Sequence, residues 1–326
     1  MALALVGCKA AVEAVAPVKI NVILANSGPV RALEVSGDTI WYGGLNRFGW
    51  VRRDGKSKAW DFKVGSDVDF RSIAQTKSEV FLLNAGSPAW LLRINKKSQV
   101  VDTVHTDGNP AIFYDSMKFY DHERGLALAD PIDGHFTILA TTDAGRTWTK
   151  QKGPEAMEGE GAFAASNSNL VLMANATCFV SGGKHARFFR LDDQWKSINT
   201  PIVQGQPMTG IFTADFYNRD IGIIAGGNYE DQKNNSRNKA VTRDGGKTWK
   251  LVADGEAFGY TSCVRYFPGS DGKKIASVGA TGLWISNNGG TSWKKIHDNA
   301  GWYAIRFINS RTAVVAGRFE ISILEF

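Results

Sequence analysis

Residues 141–148 read TTDAGRTW, residues 242–249 read TRDGGKTW and residues 286–293 read SNNGGTSW. One pattern, S/T-x-D/N-x-G-x-S/T-W, fits all three. Its fixed positions are Thr141, Asp143, Gly145 and Trp148, then Thr242, Asp244, Gly246 and Trp249, then Ser286, Asn288, Gly290 and Trp293. The residue types describe a tight hairpin turn. The Asp or Asn side chain accepts hydrogen bonds from backbone N–H groups of its own turn. The Gly takes the positive φ that such a turn needs. The Ser or Thr hydroxyl bonds across the loop, and the Trp packs over the turn, burying about 150–250 Å². These are structural duties, and Asn288 in the third copy supports them, because Asn makes the same turn bonds but is a poor general acid.

Working outward from the turns, the tryptophans stand 101 and then 44 positions apart. A spacing of about 40–50 residues is that of one propeller blade, so the longer gap holds about two. Each turn is preceded by an apolar strand, a reversal and a second strand, as in GKKIASVGATGLWIS before the third. This is the antiparallel meander of a blade. Degenerate copies occupy residues 36–60, 78–101 and 169–198, and the last copy, residues 312–326, is one strand short. Residues 19–25 (KINVILA) form an orphan strand at the other end of the chain. That strand is expected to complete the last blade, closing the ring and removing exposed sheet edges. The reading is all-β: a seven-bladed β-propeller over residues 18–326, with blades beginning near Val30, Val68, Ala111, Gly161, Thr209, Thr261 and Trp302. Six and eight are the neighbouring counts.

The chain has 326 residues, 43% hydrophobic and 21% charged, with 35 Gly, 10 Trp and only 9 Pro, which suits many short strands and tight turns. Its net charge of +6 is spread in Lys/Arg runs of no more than two, so no nucleic-acid partner is expected. The five His (105, 122, 135, 185 and 297) lack ligand spacing, no CxxC is present, and no metal or cofactor is expected; Asp130 and Asp133 are the one weak calcium pair. Cys178 and Cys263 sit in apolar strand patterns and read as buried free thiols. No stretch of 18 apolar residues occurs.

Leu5-Val6-Gly7-Cys8 resembles a bacterial lipobox, in which the Cys carries the lipid. Seven residues and no basic region precede Cys8, so either the true start lies upstream or the resemblance is chance. The resemblance implies an exported lipoprotein, periplasmic or on the outer membrane, with residues 1–17 as leader remnant and tether. A monomer is expected.

The three turns and the blade pattern resemble the BNR/Asp-box superfamily, which includes sialidases, sortilin-type receptors and photosystem II assembly factors. The likeness is strongest to bacterial proteins described as photosystem II stability/assembly factor-like, with DGGKTW at 244–249 the best match. It covers residues 19–326 and is specific for fold, since one propeller fold hosts many activities. Some of these proteins are labelled oxidoreductases; no G-x-G-x-x-G opening a helix and no haem-attachment motif supports that here.

In a propeller the loops leading into the innermost strands converge on one face. The residues there are Arg31, Asp69 with Arg71, Tyr114 with Asp115, Glu158 with Glu160, Met208 with Thr209, Tyr260, and Trp302 with Tyr303. Arg31, Arg71, Tyr114, Trp302 and Tyr303 are candidates to bind an anionic or carbohydrate ligand or a protein partner, by guanidinium–carboxylate pairing and stacking. Asp115, Glu160 and Tyr260 are the catalytic candidates. Similarity to sialidases implies an arginine triad, a Tyr with a Glu partner and an Asp acid. The Arg-Ile-Pro motif is absent, Phe70-Arg71-Ser72-Ile73 being only an echo, and Arg265 or Arg306 would have to serve as third arginine. A non-catalytic binding or assembly platform is therefore expected; the alternative is a hydrolase that gathers Arg31, Arg71, Asp115 and Glu160 in one pocket. Two insertions, residues 129–136 and 228–239, read as surface loops or, in the second case, as a lid or docking arm.

Overall fold

The computed structural model describes residues 18–173 and 176–326, so Cys8 and the rest of residues 1–17 lie outside the described residues. Among the described residues all regular structure is strand, arranged as seven antiparallel sheets around an axis. The chain is a seven-bladed β-propeller. Its inner strands are Val30–Ser36, Phe70–Gln75, Tyr114–Phe119, Leu170–Met173, Thr209–Phe216, Thr261–Tyr266 and Trp302–Asn309. Blade 7 takes its outermost strand, Lys19–Ala25, from the start of the described chain; Lys19 pairs with Glu325 and Ala25 with Glu320.

Burial explains the sequence pattern. Inner and second strands are apolar on both faces because each blade is covered by two neighbours. Seven buried clusters fill the seven gaps between blades. In one, Phe81 and Leu83 of blade 2 meet Met117 and Leu139 of blade 3. Another seals the ring where Val30 and Leu33 of blade 1 meet Val314 and Ile321 of blade 7.

The three repeated turns join the last two strands of blades 3, 5 and 6. In the first, Asp143 Oδ1 accepts from the amides of Arg146 (3.0 Å) and Thr147 (2.9 Å), and Oδ2 from the Thr147 hydroxyl (2.6 Å). The Thr147 bonds hold the Asp143 carboxyl down to about 2. Burial raises Asp244, but the Thr248 hydroxyl and amide outweigh it and bring that group also to about 2. Asn288 Oδ1 accepts the Ser292 amide at 2.9 Å in the same way. The tryptophans reach outside their own turns: Trp148 packs edge-on against Phe81 of blade 2, and Trp249 against Phe188 of blade 4.

Blade 4 departs from the expected Gly161 start. Its inner strand begins at Leu170, and the residues just before it enter the central channel instead. Ser166, Asn167, Ser168 and Asn169 are fully buried there. The stretch 165–168 bonds to the inner strands of all six other blades. Arg31 of blade 1 donates to Ala165 O (3.0 Å), and Asn167 Nδ2 donates to Ile73 O of blade 2 (2.6 Å). The Met117 amide of blade 3 donates to Asn167 Oδ1 (2.9 Å), and Ser168 Oγ donates to Thr213 of blade 5 (2.8 Å). Ser166 Oγ donates to Ser262 O of blade 6 (2.6 Å), while Arg306 of blade 7 donates to Ser166 O (2.7 Å). The channel is thus plugged, and one face of the ring is a shallow mouth above the plug.

Candidate functional site

The mouth is shaped by a repeated irregularity. Six of the seven inner strands skip one residue in their pairing with the second strand, near the mouth end. The skipped residues are Arg31, Arg71, Asp115, Phe212, Ser262 and Tyr303. A bulge of this kind re-aims the extra side chain, here away from the inter-blade core. Five of the six line two adjoining mouth pockets. One, of about 350 Å³, is lined by Arg31, Arg71, Asp130, Phe163, Phe212 and Tyr260 among others. The second, of about 590 Å³, includes Arg31, Ser262, Tyr303, Arg318 and Phe319. Tyr229 and Tyr260 belong to both and stand edge to face at 5.1 Å, forming the wall between them.

The two arginines are fixed differently. The Arg31 guanidinium lies 4.1 Å from the centre of the Tyr303 ring and reaches the plug through Ala165 O. Arg71 pairs with Asp69 at 2.7 Å and is one third exposed. Aromatic rings make the opposite wall: Phe163 of the plug stacks on Phe212 at 3.9 Å, and Phe212 meets Tyr260 edge-on at 4.8 Å. Burial pushes the Tyr260 phenol well above its usual value, with the charge of Arg31 opposing. Such a phenol stays protonated at neutral pH and is available as a hydrogen-bond donor.

The acids are disposed otherwise. Among the described residues Asp130 is the only carboxylate lining the smaller pocket. Its Oδ1 accepts the Ala162 amide at 2.8 Å, and burial raises its carboxyl to about 6. Asp115, the bulged residue of blade 3, is fully buried with both oxygens unpartnered. Burial first, and then the charge of Asp130, raise its carboxyl well above the ordinary range. Glu160 lines neither of the two pockets that hold the arginines; with Asp130 it lines a neighbouring one of about 600 Å³. It forms a buried ion pair with Arg187 and accepts from Ser181 Oγ (2.5 Å) and the Met157 amide (2.9 Å).

Arg31, Arg71, Tyr260 and Tyr303 are therefore brought together, while Asp115 is set behind the pocket and Glu160 is elsewhere. Tyr114 and Trp302 are the first residues of their strands, before the bulge, and point into the inter-blade cores. The Tyr114 hydroxyl faces Asp107 at 3.4 Å. Trp302 stacks with His297 and its indole N–H donates to Glu320 at 3.3 Å. The mouth residues absent from the sequence-derived set include Ser262, Arg318, Phe163, Phe212, Tyr229 and Asp130. The last two come from the inserted loops: the 228–239 arm is bonded at Tyr229 N to Met208 O and at Gln232 O to Tyr260 N, both 2.9 Å. Asp133 lies on an exposed turn with positive φ, and no cluster of three or more His, Cys, Asp or Glu suited to a metal occurs among the described residues.

No protein-family model matches the chain, and no curated protein matches it. Solved structures do. YCF48 bound to a D1 peptide superposes with a TM-score of 0.67 at 15% identity, covering 95% of this chain and 94% of that one. YCF48 from Cyanidioschyzon merolae gives 0.64 at 13% identity, over 95% and 99%. U3-55K gives 0.66 at 11% identity, over 94% and 98%. At these identities the likeness is one of fold. The presence of YCF48 among these neighbours agrees with the resemblance to photosystem II assembly factor-like propellers.

Proposed function

We propose that this propeller is a non-catalytic binding platform whose mouth holds a protein partner, and that it acts outside the cytoplasm, anchored through a lipid on Cys8. The observation that carries the binding reading is the division of labour at the mouth. Two guanidinium groups and a wall of four rings face the pockets, while Asp115 is fully buried and Glu160 is held in an ion pair with Arg187. Most glycosidases pair two carboxyl groups about 5–9 Å apart across one substrate site; here Glu160 is committed to Arg187, and Asp130 is the only carboxylate among the described residues that line the pocket holding both arginines. Rigid rings beside arginines are the usual anchors of a protein interface. A propeller of the same fold, YCF48, has been captured with a D1 peptide, which supports a peptide-binding role for this fold here.

The test is a peptide array probed with the full chain and with Arg31→Ala and Arg71→Ala, run beside an assay for release of sugar from acidic glycosides. The expected result is selection of peptides bearing a carboxylate next to an apolar residue, weakened about tenfold or more by either substitution, with no sugar released. Turnover of a glycoside that disappears in Asp130→Asn would establish the hydrolase instead. For export, the full chain expressed in a Gram-negative host should fractionate with membranes and take up labelled palmitate, and Cys8→Ser should lose the label.

A further inference from the structure

The two faces of the ring carry opposite charge. The connections between strands on the face that holds the repeated turns contain 13 Lys/Arg and 10 Asp/Glu; those on the mouth face contain 5 and 9. The cations are also gathered in one sector. Across blades 6, 7, 1 and 2, which are consecutive around the ring, the turn-face connections hold 8 Lys/Arg and 3 Asp/Glu; across blades 3, 4 and 5 they hold 5 and 7. Arg53, Lys56, Lys77, Lys97, Lys273 and Arg311 are exposed there. Only Lys56 of these six has a carboxylate partner among the described residues, Asp54 at 3.5 Å. Val100, between two strands of blade 2 in the same sector, is also exposed, at 53%.

A second, independent feature falls in this sector. The outermost strand of blade 7 runs from Lys19, opposite Glu325, to Ala25, opposite Glu320. Glu320 follows the mouth-side reversal of blade 7, so Lys19 lies at the turn-bearing end, between the basic connections of blades 6 and 1. The polypeptide that precedes Lys19 leaves from this face. Ten residues lie between Cys8 and Lys19, a reach of at most about 40 Å when extended.

We propose that this basic sector of the turn-bearing face docks on an anionic lipid headgroup surface, leaving the mouth directed away from the membrane. Exposed Lys and Arg near such a surface each add about 1 kcal/mol of attraction, and the effect fades within a Debye length. The acidic rim of the mouth is repelled by the same surface, so both faces favour one orientation. A lipid on Cys8 would leave the chain from the same side, and only that part of the argument rests on the anchoring reading above.

The test uses the full chain carrying Cys8→Ser, so that no lipid is attached. It is sedimented with vesicles of phosphatidylcholine alone and of phosphatidylcholine with one third phosphatidylglycerol, at low and high salt. Binding is expected on the anionic vesicles only and at low salt only. Arg53→Glu/Lys77→Glu/Lys97→Glu/Arg311→Glu should weaken partitioning by about a hundredfold or more, while Lys184→Glu/Lys233→Glu on the mouth face should leave it unchanged. Equal binding to neutral vesicles, no binding to either, the same loss in the mouth-face variant, or tighter binding to duplex DNA than to vesicles would each overturn the proposal. Because the chain used carries no lipid, a failure here is distinct from a failure of palmitate to label Cys8.

Discussion

Replacing Asn167 by Ala should be among the most damaging single changes in the protein. Asn167 Nδ2 donates to Ile73 O at 2.6 Å, and Oδ1 accepts the Met117 amide at 2.9 Å. Ile73, Met117 and Asn167 are all fully buried, so neither orphaned backbone group can turn to water. Each orphan costs about 1–3 kcal/mol. Asn167 also has φ of 55°, a left-handed conformation that Asn tolerates and that costs Ala about 1 kcal/mol. The loss for Asn167→Ala is then about 3–7 kcal/mol, a large part of the roughly 5–15 kcal/mol that holds a typical domain folded. Asn167→Gly loses the same bonds but enters positive φ freely, and should recover about 1 kcal/mol. Urea unfolding followed by tryptophan fluorescence measures both. A loss below about 1 kcal/mol for the Ala variant, or a Gly variant weaker than Ala, would refute this account of the plug.

Asp115→Asn should alter how stability depends on pH. The folded chain keeps the Asp115 carboxyl protonated well above the ordinary range, so below about pH 4 the group is neutral in both states and costs nothing extra. As pH rises, the unfolded chain ionises first, and wild type should lose about 1.4 kcal/mol per pH unit relative to the Asn variant until the folded carboxyl also ionises; a difference that stays flat from pH 4.5 to 6.5 counts against it. Glu160→Ala should cost about 3–5 kcal/mol by stranding the Arg187 charge in a buried site, seen in thermal melts, yet leave peptide capture at the mouth intact. Gly246→Ala should cost about 2 kcal/mol or more, because φ is +88° and the new Cβ would collide with the Phe188 ring. Anionic peptides should bind the mouth more tightly below about pH 6, where Asp130 loses its charge in the pocket it lines with the two arginines, and Asp130→Asn should abolish that dependence.

The ring was legible because its causes are local. The three turns fix the ends of blades, the Trp spacing fixes their length, and the orphan strand at residues 19–25 has only the incomplete last blade to join. The site was legible in part. Arg31, Arg71 and Tyr303 could be placed near the mouth by counting back from each strand, but the bulge that separates them from Tyr114 and Trp302 is a matter of pairing between strands. A single skipped residue decides which of two neighbours faces the pocket. The plug was not legible, because the Ser and Asn residues of AFAASNSN read as an ordinary surface loop, and its partners lie in six other blades. The basic sector was hidden for a similar reason: Arg53, Lys97, Lys273 and Arg311 are far apart in sequence and meet only when the ring closes.

The plug also changes how such a ring should come apart. Propellers are repeat proteins, and a repeat that touches only its neighbours can fray or open one unit at a time. A four-residue stretch bonded to the inner strand of every other blade ties the blades to a common hub. Loss of one blade then removes a spoke on which the other six depend, so that partial opening is penalised and the ring should melt as one cooperative unit. Slow amide exchange should accordingly be found at Met117 and Ala214, whose N–H groups donate to the hub, with opening free energies close to that of global unfolding.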